Sequence, residues 1–199
     1  MFDLTKEYIL ENDFALLRPL QESDFEHLLP FSVNEPDTWK YSLVQAIGPE
    51  GLRGYMNIAL EARKRGTEYP FIVFDKRKKQ YAGSTRFYDI QPASQCLQLG
   101  YTWYGKAFRG TGLNKACKYL LLGFAFETAG MERVEFRADN ANARSIAAMK
   151  SIGCTVEGVL RSNGLRPDGS RRDSIVLSIL KHEWHHRVKE HLRSQLPRA

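Results

Sequence analysis

The chain has 199 residues, a formal net charge of +6, and 43% hydrophobic and 26% charged side chains, which suits one well-cored globular domain and is short for two. No apolar run approaches the ~18 residues of a membrane span, and the start, Met1 to Lys6, lacks a signal-peptide layout. The three cysteines, Cys96, Cys117 and Cys154, show neither zinc nor CxxC spacing, so a reduced, cytoplasmic setting is expected.

In chain order, Phe14–Arg18 reads as a short strand closed by Pro19. Ser23 is placed to cap a helix over about 24–30, with Glu26 at the capping-box position. Residues 31–50, with Pro36, Gly48 and Pro49, read as irregular and carry Trp39 and Tyr41. A second helix is expected over about 51–65, ending at Gly66. Tyr69–Phe74 and Tyr81–Ile90 read as a hairpin whose tip, Lys76-Arg77-Lys78-Lys79, is a solvated charge run rather than a nucleic-acid patch.

Leu97, Leu99, Tyr101 and Trp103 then alternate with Gln98, Gly100, Thr102 and Tyr104, a strand period. An amphipathic helix over about 111–129 carries the stripe Leu113, Ala116, Cys117, Leu120, Leu121 and Phe124, and Gly130 ends it. Val134, Phe136 and Ala138 mark another strand, and a helix over about 142–152 stops at Gly153. Residues 154–166 and 170–180 flank the turn Pro167-Asp168-Gly169, and a polar, histidine-rich helix closes the chain. The order predicts an α+β domain with a mixed sheet: a core over about 12–181 and a helical tail over 182–199.

The junction Phe108-Arg109-Gly110-Thr111-Gly112-Leu113-Asn114-Lys115 carries the most chemistry. Two glycines permit a tight turn, the helix behind them aims unpaired N–H groups at one spot, and Arg109 and Lys115 add charge. Such a place suits a phosphate or pyrophosphate, as does the basic pI of about 9.2. A dinucleotide fingerprint fails because Lys115 stands where the third glycine belongs, and a P-loop fails because Thr111 holds the lysine position. On the glycines alone, a plain strand-to-helix turn remains an equal reading.

Arg109-x-x-Gly112 between a strand and a helix, followed by Asn142-x-x-Ser145 and Gly153, resembles the GNAT N-acetyltransferases. The segments Gly83–Tyr88, Gly100–Tyr104, Gly112–Glu127 and Glu157–Arg161 are similar to the Rim-type branch, the ribosomal-protein N-terminal acetyltransferases, and the likeness spans about residues 12–184. The resemblance implies the GNAT fold, a mostly antiparallel mixed sheet whose fourth and fifth strands, here 97–104 and 132–138, splay apart. It implies acetyl-CoA as cosubstrate without a metal, direct acetyl transfer to a primary amine, and a monomer or homodimer. The acceptor is a protein N-terminus or a small amine.

The same resemblance places the pyrophosphate on Arg109, Gly110, Thr111, Gly112, Leu113, Asn114 and Lys115, and the pantetheine arm against Tyr101, Thr102, Trp103, Asn142 and Ser145. An N–H of the 101–103 backbone, assigned to Tyr101, serves as the oxyanion donor, and Ser145 as proton donor to the leaving sulfur. Asn142 caps its helix or binds the arm. Trp39, Tyr41 and Tyr88 are candidate acceptor-pocket walls, and core packing explains such aromatics equally well. Four positions depart from the family, one of them Cys154, which follows the helix-ending glycine where an aromatic is usual. Asn114 replaces a small residue, Met149 stands where many members have a tyrosine acid, and Gln98 stands where a glutamate base is common. Glu157, Asp173, Asp89 and Glu35 are then the candidate ends of a water chain to a base.

Two other function classes compete. His182-Glu183-Trp184-His185-His186 fits H-E-x-x-H, a zinc-hydrolase pattern. Arg161, Arg166, Arg171 and Arg172 around the last hairpin suit an RNA- or ribosome-binding module, but the aromatics are not spaced as a stacking platform.

Overall fold

The computed structural model describes residues 2–196. Eight strands form one sheet in the order β1-β2-β3-β4-β5-β6-β8-β7. These are β1 (Leu10–Glu11), β2 (Ala15–Pro19), β3 (Tyr69–Asp75), β4 (Gln80–Gln91), β5 (Cys96–Tyr104), β6 (Arg133–Asp139), β7 (Thr155–Leu165) and β8 (Arg171–Leu180). Every neighbouring pair is antiparallel except β5 with β6. The two-residue β1, too short to show a period, is an addition to the expected order.

Helices α1 (Phe25–Asn34) and α2 (Gly48–Lys64) cover one face, packed over Leu28, Trp39, Leu52, Tyr55 and Met56. Helix α3 (Leu113–Gly123) covers the other, where Leu113, Ala116, Cys117 and Leu121 meet Leu97, Leu99 and Val134 from the strands. Helix α3 widens into a π turn over Phe124–Thr128 before Gly130 turns the chain into β6. Helix α4 (Ala143–Ser151) follows β6. The tail is α5 (Lys181–Glu183), a π turn over Trp184–Val188, and α6 (Lys189–Ser194). Residues 197–199 of the expected tail lie outside the described residues.

Helix α1 corrects the expected stop near residue 30. It runs through Pro30 to Asn34. An interior proline costs ~3 kcal/mol, and burial of Phe25, Leu28 and Ser32 against α2 outweighs it. Asp24, rather than Ser23, holds the start. Its Oδ2 accepts the Gln21 N–H at 2.9 Å, and both carboxylate oxygens accept from Arg18.

The tail is a docked element. Trp184, Val188 and Leu192 are buried in the core, and the Trp184 indole N–H donates to Glu127 Oε1 at 2.6 Å. The histidines His182, His185 and His186 are exposed. Glu183 is spent on the helix start, where its Oε2 accepts the Leu180 N–H at 2.9 Å. This arrangement does not favour the zinc-hydrolase reading.

Candidate active site

Strands β5 and β6 pair only where Cys96, Leu97 and Gln98 face Arg133, Val134 and Glu135. Beyond Gln98 each continues to its own end, at Tyr104 and Asp139, so the sheet forks there. A bulge in β5 accompanies the fork, because the register against β4 shifts between Ser84 and Arg86. Tyr101 sits in that bulge with φ +49°, in left-handed backbone that an aromatic residue rarely adopts. It is held on several sides: the Tyr55 hydroxyl donates to its carbonyl at 3.3 Å, the Tyr88 ring meets its ring edge-on at 5.1 Å, and Arg86 covers it.

A cleft of about 1290 Å³ fills the fork and its mouth. At the mouth on one side lies the loop from Tyr104 to Gly112, and on the other the turn from Asp139 to Asn142. Gly112 begins α3 at φ +87°, a conformation open to glycine at little cost. The N-cap residue Gly112 has no side chain to offer α3, Thr111 Oγ1 accepts the Leu113 N–H at a long 3.5 Å, and no acidic residue lies in the first turn. Lys115 occupies that turn instead, although a cation beside a helix N-terminus is unfavourable without an anion to answer it.

Tyr101, Thr102, Trp103, Arg109, Gly110, Thr111, Gly112, Asn114, Lys115, Asn142 and Ser145 all line this cleft, as do Tyr41 and Tyr88. Two expected residues do not. Leu113 is fully buried in the core with the α3 stripe, so only its backbone belongs to the loop. Trp39 is fully buried beneath α1 and α2, its ring 5.2 Å from that of Trp103, so it is a core residue and not an acceptor wall. The Arg109 side chain is also spent on structure: its Nε donates to the Tyr104 carbonyl at 2.8 Å and its Nη2 to Thr38 Oγ1 at 2.7 Å. Burial and the nearby Arg144 lower its pKa.

Asn142 takes the capping role and also faces the cleft. Its Oδ1 accepts the Ser145 N–H at 3.1 Å and so caps α4, while the residue itself lines the cleft. That cap fixes the first turn of α4 and with it the backbone that carries Ser145. The corner before it is braced by Asp139, which accepts from Arg166 Nε at 2.7 Å and from the Ala141 N–H at 2.9 Å. The Arg166 hydrogen bond holds the Asp139 carboxyl below its usual range.

Of the four candidate bases only Asp89 lines the cleft. Glu157 is held by Arg133 and accepts from Ser178 Oγ at 2.7 Å, Asp173 accepts the Ser162 N–H at 2.6 Å, and Glu35 accepts the Lys106 N–H at 2.7 Å. Asp89 stands at φ +46° where the β4–β5 register shifts again. Its Oδ2 accepts from Gln98 Nε2 at 2.7 Å, at the residue where the fork begins. The Gln98 Oε1 is buried and has no partner among the described residues. Burial raises the Tyr88 and Tyr101 phenols above their ordinary pKa, so both stay protonated at neutral pH.

Two buried cations line the cleft: Lys118, which sequence reasoning passed over, and Arg172, which it gave to the basic patch of the last hairpin. Arg172 is 7% exposed, and its Nε donates to Ser174 Oγ at 3.1 Å. Lys118 is 5% exposed; its place one turn before the buried Leu121 and Leu122 is the signal that would have found it. Three of the four hairpin arginines are engaged within the protein, which does not favour a nucleic-acid patch, while Arg161 is exposed. Arg172 is buried, Arg166 is tied to Asp139, and Arg171 Nε donates to Ser162 Oγ at 2.7 Å.

Comparison with known proteins agrees with this geometry. Residues 15–155 match the model of the acetyltransferase (GNAT) domain. The chain is 32% identical over 177 residues to the "Putative ribosomal N-acetyltransferase YdaF" of Bacillus subtilis (strain 168), covering 87% of this chain and 94% of that one. It is 25% identical over 141 residues to the ribosomal protein uS5-alanine N-acetyltransferase of Escherichia coli (strain K12), covering 68% of this chain and 70% of that one. A crystal structure of a "putative acetyltransferase" from T. thermophilus superposes with a TM-score of 0.87 at 32% identity, over 99% of this chain and 100% of the other. With a fork fed by a cation-bearing helix start whose N-cap is glycine, and with these relatives, the chain belongs to the GNAT acetyltransferase family and is an N-acetyltransferase.

Proposed function

We propose that the protein moves the acetyl group of acetyl-CoA directly to the N-terminal α-amine of a protein. GNAT enzymes use acetyl-CoA, and the observation that carries the reading is the continuity of the fork with the start of α3. The N–H groups of Gly110 to Lys115 meet the pyrophosphate, with Lys115 and Arg144 as cations that line the cleft and have no ion pair among the described residues. The arm lies along the open edge of β5. The bulge at Tyr101 turns an N–H of the 101–103 backbone toward the thioester oxygen, a donor worth ~2.7–4 kcal/mol when preorganised.

Asp89, positioned by Gln98, takes the proton of the acceptor ammonium through water. Tyr41, Tyr88 and Tyr101 wall the acceptor side, and the neutral phenols of Tyr88 and Tyr101 present no charge to compete with Asp89. Ser145 supplies a proton to the departing sulfur and regains one, through water, from the nitrogen that has become the amide. The two substrates held in line supply much of the rate. The acceptor class draws support from the two relatives named for ribosomal acetylation.

Thiol release from acetyl-CoA, measured across peptides with free N-termini and across small amines, tests this. Turnover on peptides, lost when their N-termini are blocked, is expected. Turnover confined to small amines overturns the acceptor assignment.

A further inference from the structure

Lys118 stands on the second turn of α3 and runs beneath the fork, 5% exposed. Its Nζ donates to Thr102 Oγ1 at 3.0 Å, Thr102 Oγ1 lies 2.7 Å from Thr85 Oγ1, and the Phe136 ring lies 5.7 Å away. No carboxylate pairs with Lys118 among the described residues. An ammonium has three N–H donors, and this one spends a single donor on the protein. The residue nevertheless lines the cleft.

Such a cation is costly where it stands. Burial pulls its pKa down to about 8. The titratable groups that act on it are Cys117, on its own helix, and Cys154, beyond α4. Burial pushes both thiols up to about 12, so neither supplies a counter-charge. Thr85 of β4, Thr102 of β5 and Phe136 of β6 are uncharged. A floor needed only to fill volume would be better served by methionine, which has no charge to desolvate.

We propose that Lys118 is a binding residue for the arm of CoA, its unspent N–H groups donating to an amide carbonyl oxygen of the pantetheine. The inference rests on CoA occupying the fork. The pyrophosphate is not the partner, because Lys118 lies roughly 5–8 Å further along the helix axis than the first turn of α3. Its anchor, Thr102, is mid-strand on the open edge of β5, beside the path of the arm. The carbonyl meets a donor already oriented by the two threonine hydroxyls.

Calorimetry on the full chain tests this, with CoA and with adenosine 3′,5′-bisphosphate, which carries phosphates but no arm. Lys118→Met should weaken CoA about 10-fold at pH 7, the scale of a hydrogen bond to a charged group, and leave the bisphosphate within about 2-fold. Wild-type affinity for CoA should fall between pH 7 and pH 9, and that fall should vanish in Lys118→Met. Binding near pH 8 should take up protons in the wild type only, which needs no folded variant to be seen. Lys118→Gln keeps a donor without charge, so it should bind CoA with intermediate affinity and no such pH dependence. Lys118→Met should melt no lower than the wild type.

If the wild type binds CoA without proton uptake, or both variants bind it as the wild type does, the role of Lys118 is overturned while the cofactor reading stands. If the wild type binds the bisphosphate but not CoA, or binds neither, both fall.

Discussion

The guanidinium of Arg86 lies 4.1 Å from the centre of the Tyr101 ring, pressed onto the one aromatic residue of β5 whose backbone is left-handed. On its other side Arg86 lies 4.9 Å from the Tyr55 ring, and its Nη1 donates to Glu68 Oε2 at 2.7 Å. A fully buried cation thus clamps the residue whose backbone turns into the fork, with its charge answered from β3's approach rather than from the cleft.

Arg86→Met should therefore be costly twice. Removing one partner of a buried pair costs ~3–5 kcal/mol; Glu68 keeps some exposure, so a loss of about 3 kcal/mol in urea unfolding is expected. Turnover should fall as the Tyr101 bulge relaxes. Adding Glu68→Gln should restore part of the stability but not the turnover.

Gly112→Val places a β-branched side chain at φ +87°. The backbone strain is ~1–2 kcal/mol, and the new methyl groups crowd the phosphate loop. CoA affinity should drop at least about 10-fold by calorimetry, since each tenfold is ~1.4 kcal/mol. Unchanged affinity would remove the loop from the site.

Ser145→Ala keeps the backbone N–H that Asn142 accepts, so α4 should stay capped. The CoA dissociation constant should hold within about 2-fold, and kcat should fall roughly 10²-fold, the lower range for a proton-transfer group. An unaltered kcat removes Ser145 from the chemistry.

Asp89→Asn preserves the shape of the β4 bulge, where Asn tolerates left-handed backbone as well as Asp does. It should lower kcat/KM about 10²-fold with little change in CoA binding. Glu157→Gln serves as the contrast: Glu157 lies outside the cleft, so its loss should show in thermal stability, with turnover kept.

Stability against pH carries the mark of Lys118. Its folded pKa of about 8 lies below the 10.5 of an exposed lysine. Between those values the unfolded chain binds more protons than the folded one, so this group makes stability rise with pH there. Below about pH 8 the full penalty of burying the charge is present. The melting temperature of the wild type minus that of Lys118→Met should climb from pH 7.5 to pH 10; a flat difference would mean that the lysine is not desolvated.

The strand and helix order could be read from period and punctuation, because Leu97 to Tyr104 and Val134 to Ala138 alternate and Gly130 and Gly153 sit at helix ends. The phosphate loop could be read because glycine and cation spacing is local. What escaped depends on distant packing. Helix α1 passes Pro30 only because α2 covers it, and Trp39 is core because Trp103 of β5 meets it. Arg109 is a strap because Thr38 lies within reach. Asp89 separates from three other carboxylates only once each is seen with its own partner. Lys118 reads as a polar residue at the edge of an apolar stripe until the fork above it is known.

The parallel join between β5 and β6 is three residue pairs long, so the sheet is two antiparallel leaves stitched by a short seam. Backbone amides on the inner margins of that seam have no ladder to shelter them. They should exchange with deuterated solvent far sooner than their neighbours facing β4 and β8. A guest whose own peptide-like bonds bridge the margins would sew the leaves together, so saturation should slow exchange along both edges at once and raise the temperature at which the leaves part.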